Sequence, residues 1–158
     1  MKKFKVVIIS GLIMAVSLTV FLRGITAPNP VVKMENWNDV ISVTEDMMFR
    51  ADSSSLIKHT DATGVPNEIL KKIKINLQKW KGVPKTMKFD RVDIVDFEEF
   101  KKQEAQYGPI PGFFSPRKWN INPEKVITYR FSGDDGTKLT WSFGAFQKQE
   151  AWYFSCGY

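Results

Sequence analysis

Apolar and polar positions alternate with three different periods along this chain. Residues Val6 to Leu22 are uniformly uncharged, with Lys2, Lys3 and Lys5 before them and Arg23 after. Further on, Trp37, Val40, Ile41, Met47 and Met48 recur at i, i+3, i+4 spacing, which predicts an amphipathic helix over 36–50 with Asn36 as its N-cap. Residues 51–65, with Asp52-Ser-Ser-Ser55 and Asp61-Ala-Thr-Gly64, read as a polar loop broken at most by a short turn. A second helix is predicted over 66–81: Pro66 opens it, Glu68 complements its dipole, and Gly82 and Pro84 end it. Its apolar stripe is Ile69, Leu70, Ile73, Leu77 and Trp80.

Residues 86–95 interleave charged with β-prone apolar residues and predict a half-exposed strand. Asp96, with Glu99 three positions on, opens a short helix running to about Gln106. A proline- and aromatic-rich loop occupies 107–123. Period-two alternation then returns in three runs: Ile127, Tyr129, Phe131; Leu139, Trp141, Phe143, Ala145; and Trp152, Phe154, Cys156. Turn residues Gly133-Asp-Asp-Gly136 and Gln147 to Gln149 separate the runs, which predicts a three-stranded antiparallel meander with one apolar face. The expected fold class is α+β, with helices packed on a curved antiparallel sheet behind an N-terminal transmembrane helix.

That order of elements, over about residues 36–157, resembles the nuclear transport factor 2-like and ketosteroid isomerase kind of cone, with cystatin-like folds as a second option. The resemblance is one of topology, so it implies a fold and no activity.

The N-terminal run predicts the compartment. Either it is a membrane anchor, spanning with residues 6–22, or a signal sequence with Ala27 near a cleavage site. The basic residues ahead of it keep the N-terminus cytoplasmic, so the rest is extracytoplasmic under both readings. The predicted organisation is an anchor or signal at 1–27, a linker at 28–35, stiffened by Pro28 and Pro30, and a domain at 36–158. Of the 23 basic residues, Lys2, Lys3, Lys5 and Arg23 precede residue 28; the remaining 19 face 17 acids, a net of +2. The formal charge of +6 is therefore mostly a topology signal, and no nucleic-acid partner is expected.

The candidate chemistry is thin. Cys156, the single cysteine, shares an apolar face with Trp152 and Phe154 and reads as core. His59, the single histidine, has Asp61 two positions on, but no partner nucleophile accompanies the pair. One His and one Cys far apart leave no zinc ligand set, and no phosphate loop, dinucleotide fingerprint or nucleophile elbow occurs, so neither metal nor cofactor is expected. Asp90 and Asp93, three apart on a strand, should point to opposite faces. Two contact surfaces stand out. Tyr107, Phe113, Phe114, Arg117 and Trp119 either serve as aromatic and arginine anchors of the interface type or fold down to close the open end of the sheet. Lys71, Lys72, Lys74, Lys79 and Lys81 belong to an acid-free lysine run that is either a solvated helix face or a surface suited to anionic headgroups or an acidic protein or envelope partner. The expected function is a non-catalytic binding or accessory module of the cell envelope. The alternative is a small-ligand pocket, or an enzyme of isomerase or hydrolase type, using Asp93, Asp96 or Tyr129 inside the cone.

Overall fold

Asn36 starts the first helix as its side chain predicts. In the computed structural model, which describes residues 31–107, 113–114 and 118–157, its Oδ1 accepts from the amides of Asn38 and Asp39 at 2.9 and 3.2 Å, and the Asp39 carboxylate accepts in return from the Asn36 amide. Helix α1 (Trp37–Arg50) buries Val40, Val43, Thr44, Met47 and Met48 and ends at Ala51, which sits in the left-handed region at φ 58°. The polar stretch that follows is more ordered than its composition suggests. Asp52 caps a short helix α2 (Ser53–Lys58) anchored by the buried Leu56, and β1 (Thr60–Asp61) adds to the sheet.

Helix α3 (Asn67–Lys79) lies where its punctuation places it, between Pro66 and Gly82. Its predicted stripe is only half-buried, however, and none of its residues is fully enclosed. The reason is that Ile73, Leu77 and Trp80 border a cavity, and Leu77 and Trp80 meet the core only along one side.

The sheet comprises β1, β2 (Met87–Asp96), β3 (Phe113–Phe114), β4 (Lys125–Gly133), β5 (Lys138–Lys148) and β6 (Ala151–Ser155), with helix α4 (Phe97–Tyr107) between β2 and β3. The strand order is β1-β6-β5-β4-β2, and β3 lies beside β5. The predicted meander is β4-β5-β6, antiparallel throughout; β1 pairs with β6, and β3 with β5, in parallel. The fold takes up the chain earlier than residue 36. The Val32 amide donates to the Lys58 carbonyl at 2.9 Å, and Met34 bridges Trp152 and is buried, so residues 31–35, expected as linker, belong to the body.

One sheet face carries Ile127, Tyr129, Phe131, Leu139, Phe143, Ala145 and Phe154 against Met47, Met48, Val40 and Leu56, and this is the core. The sequence predicts one apolar face, yet Val126, Thr128, Thr140 and Ser142 are buried on the opposite face too. Thr128 and Ser142 satisfy each other at 3.0 Å, which lets hydroxyls occupy a covered face without orphaned donors. Helix α4, with Phe100 buried, packs against β2 and β4.

A β-bulge at Asp90 corrects a second expectation. Phe89 pairs with Phe131 and Arg91 with Arg130, leaving Asp90 as the extra residue. The insertion shifts the alternation by one, so Asp90 and Asp93 share a face instead of diverging. Asp90 accepts from the Ser132 hydroxyl and Asp93 from the Arg130 Nε, both at 2.6 Å, and Ser132 and Arg130 are two apart on β4.

Among the described residues no helix is long and apolar enough to cross a membrane. The run 6–22, with the rest of the predicted anchor and residues 28–30 of the linker, lies outside the described residues.

Candidate functional site

The sheet leaves an unusual gap. On the edge of β5 away from β4, β6 pairs with Ala145 to Lys148 and β3 with Thr140 and Trp141. Between them Ser142, Phe143 and Gly144 line a cavity of about 620 Å³ that extends to α3. Trp80, Trp119, Trp141, Phe143 and Phe154 form most of its aromatic wall, and Leu56, Ile73 and Leu77 add aliphatic surface. This size and character are typical of small-molecule sites, which span about 300–1,000 Å³ and are mostly apolar with few polar groups.

Each wall is held by identifiable bonds. Trp80, just past the end of α3, donates its indole N–H to the Met47 carbonyl at 3.0 Å and meets Trp141 edge to face at 4.7 Å. These contacts tie the end of α3 to α1 and to β5. Trp119 is positioned by its neighbour. Asn120 Nδ2 donates to the carbonyls of Asp61 and Thr63 at 2.8 and 3.1 Å, and its Oδ1 accepts from the Cys156 amide at 2.8 Å. One side chain thereby joins β1, the strand leaving β6 and the segment entering β4, while Trp119 bridges Gly157. Gly144 completes the fit: a Cβ there would stand 2.6 Å from the Trp119 ring and 2.9 Å from Pro123.

The interior polar groups are already occupied. Thr60 Oγ1 donates to Leu56, Ser155 Oγ to Ile121, and Ser142 pairs with Thr128. Burial pushes the Cys156 thiol up, so it stays protonated and behaves as an apolar wall group, as its place in the sequence predicts. Among the described residues, the exposed lining residues are Asn76 and Lys79, one turn apart on α3, and Lys79 is the one that carries a charge.

The predicted contact residues are distributed differently. Lys71, Lys72, Lys74 and Lys79 are exposed on α3, and Lys81 is exposed just beyond it. Of these, Lys79 alone reaches the cavity. Trp119 is half-buried as a cavity wall. Tyr107 ends α4 and Phe113 and Phe114 form β3, but their side chains, and the whole of Arg117, lie outside the described residues. His59 does not pair with Asp61; its Nδ1 lies 2.8 Å from the Val32 carbonyl, and Asp61 accepts from the Thr63 amide.

None of the three groups expected to serve an enzyme lines the cavity. Tyr129 is buried in the core, with its hydroxyl 2.8 Å from Thr44 Oγ1. Asp96 is exposed at the end of β2. Burial would raise the Asp93 carboxyl, but hydrogen bonds and charge from Arg130 and Arg91 outweigh it and hold the group below the usual range. Asp93 thus ionises at lower pH folded than unfolded. Its pairing stabilises the fold above the unfolded titration near about pH 4 and is lost as pH falls through the lower folded value. Arg130→Leu should cost about 1 kcal/mol near neutral pH. In urea melts that gap should narrow as pH falls below about 4 and the carboxylate protonates; a gap that does not change with pH would assign the loss to packing of the arginine stem.

Among the described residues no group of three or more His, Cys, Asp or Glu side chains is arranged to hold a metal ion. No protein-family model, characterised protein or solved structure gives a significant match to this chain.

Proposed function

We propose that this protein is a non-catalytic binding module of the cell envelope, anchored by residues 6–22, whose cavity takes the apolar tail of an anionic amphiphile such as a long-chain carboxylate. The observation that carries the reading is the make-up of the cavity among the described residues: an aromatic wall whose interior polar groups are already hydrogen-bonded, with Lys79 as the charged residue of its lining. An apolar tail loses no hydrogen bonds to such a wall and gains from leaving water. A carboxylate head meets Lys79 and the wider lysine run without being buried. The finer fold reading, a cone of the nuclear transport factor 2-like kind, fits with this site: helices lie against an antiparallel meander, and a hollow remains between α3 and strands β5 and β6. The isomerase or hydrolase alternative draws less support, since Asp93, Asp96 and Tyr129 stand away from the hollow.

Three tryptophans in the wall supply the assay. Titrating the protein with palmitoleate should quench tryptophan emission saturably, and Lys79→Glu should weaken binding about tenfold, or about 1.4 kcal/mol. The methyl ester should bind the wild type as weakly as the acid binds the variant. No saturable quenching would reject the cavity as a ligand site. Equal affinity for acid and ester would keep the site and reject the role of Lys79.

A further inference from the structure

Strand β2 ends the sheet, and its outer edge faces no other strand among the described residues. It is ten residues long, and its inner face is unusually apolar for an edge: Phe89, Val92 and Ile94 are 48 %, 41 % and 42 % exposed. Phe49 of α1, 52 % exposed, lies beside Phe89 at 5.7 Å between ring centroids and extends the patch. Long, apolar edges invite strand addition, and proteins that must avoid it place charges that repel in any pairing. The charges of β2 do not have that property.

On the other face of β2, Arg91 and Asp93 flank Val92, which has its side chain on the apolar face. Antiparallel pairing of β2 with a second β2 must oppose residues of the same face. With Arg91 opposite its own copy, or Asp93 opposite its own copy, like charges meet. With Val92 opposite its own copy, each Arg91 meets the Asp93 of the other chain, so the ion pairs are reciprocal. In the same register the bulge sets Asp90 beside Arg91 against the opposing Asp93, with Asp90 held on its own chain by the Ser132 hydroxyl at 2.6 Å, and sets Phe89 opposite Ile94. A single register therefore matches both charge and apolar surface. Asp93 keeps its internal partner Arg130 in that arrangement, since Arg130 approaches from the β4 side, while Arg91, 3.1 Å from Asp93 of its own strand, exchanges that partner for the Asp93 of the other chain.

We infer that β2 is a self-association edge: two copies of this chain join antiparallel through β2, about a two-fold axis at Val92, and make one continuous sheet. Such an interface is isologous, as closed dimers require. It rests on the edge strand alone and is independent of the cavity reading.

Position-specific cross-linking of the full-length chain in detergent tests the register. Opposed residues on paired antiparallel strands have Cα atoms about 4.5–5.5 Å apart, within the span of a disulfide at about 4.4–6.8 Å. Val92→Cys should therefore become a covalent dimer under mild copper-phenanthroline oxidation. Ile94→Cys, equally exposed, should stay monomeric, because the two copies of that position lie about 13 Å apart along the strands. Adding Arg91→Asp to Val92→Cys should slow cross-linking at least tenfold. The parent chain, whose single cysteine is buried, is the blank. Cross-linking of both variants alike, of Ile94→Cys alone, or of neither would overturn the inference, as would cross-linking of Val92→Cys that ignores Arg91→Asp.

Discussion

Gly144→Val lowers the stability of the domain by about 3 kcal/mol, at the upper end of the usual cost of overpacking. In a strand interior glycine is ordinarily a weakness, and a β-branched replacement would improve local propensity by up to about 1 kcal/mol. Here the neighbours reverse that expectation. The first added carbon already falls 2.6 Å from Trp119 and 2.9 Å from two atoms of the Pro123 ring. Neither group can yield easily. Pro123 is rigid, and Trp119 is carried by a segment that Asn120 ties to Asp61, Thr63 and Cys156. For a domain of this size, 3 kcal/mol corresponds to about 10 °C in Tm, read by calorimetry. The same substitution should change the ligand response, because a displaced Trp119 alters the cavity wall. A Tm within about 2 °C of wild type would mean that Trp119 is free to swing aside.

Thr44→Val costs about 2 kcal/mol, more than the about 1 kcal/mol expected for Tyr129→Phe, although both break the same bond. Thr44 Oγ1 donates to the Ile41 carbonyl at 2.9 Å, so it must accept from Tyr129, 2.8 Å away. Both groups are buried. Burial raises the tyrosine above its ordinary range while the Thr44 bond draws it the other way, and at neutral pH the phenol remains a proton donor. Removing the threonine hydroxyl strands that buried donor. Removing the phenol hydroxyl leaves threonine with its bond to Ile41 intact. The double variant should therefore lose less than the two single losses together, with a coupling of about 1 kcal/mol in urea melts. Strict additivity would show that water replaces the missing partner.

Much of the domain is legible from local chemistry. Asn36, Pro66, Gly82 and the Gly133–Gly136 turn mark element ends through short-range hydrogen bonds and backbone preferences, and these operate in any context. The meander is legible because period-two alternation survives in β4, β5 and β6. The reading fails at Asp90, where one inserted residue shifts the alternation, and at Ser53–Asp61, where a capping aspartate and one buried leucine outweigh a polar composition.

The candidate site was less legible. Gly144 in the middle of an alternating strand is a recognisable sign of close approach, and it would have pointed to the right wall. Asn120 carries no local signature: its role consists of bonds to residues 36 to 59 positions away. Trp80 and Trp141 looked like ordinary core aromatics, and their half-buried state depends on α3 standing off the sheet.

By itself, then, the sequence determined what depends on neighbours within a few residues: the α+β class, the helix ends, the turns, the apolar face of the meander and the protonated, apolar character of Cys156. Only the tertiary structure decided which aromatics border a hollow, that Lys79 alone of the lysine run reaches it, that hydroxyls are buried on the second face, and that Asp90 and Asp93 share a side. These depend on strand register and on distances between residues remote in the chain, which hydrophobic periodicity does not encode.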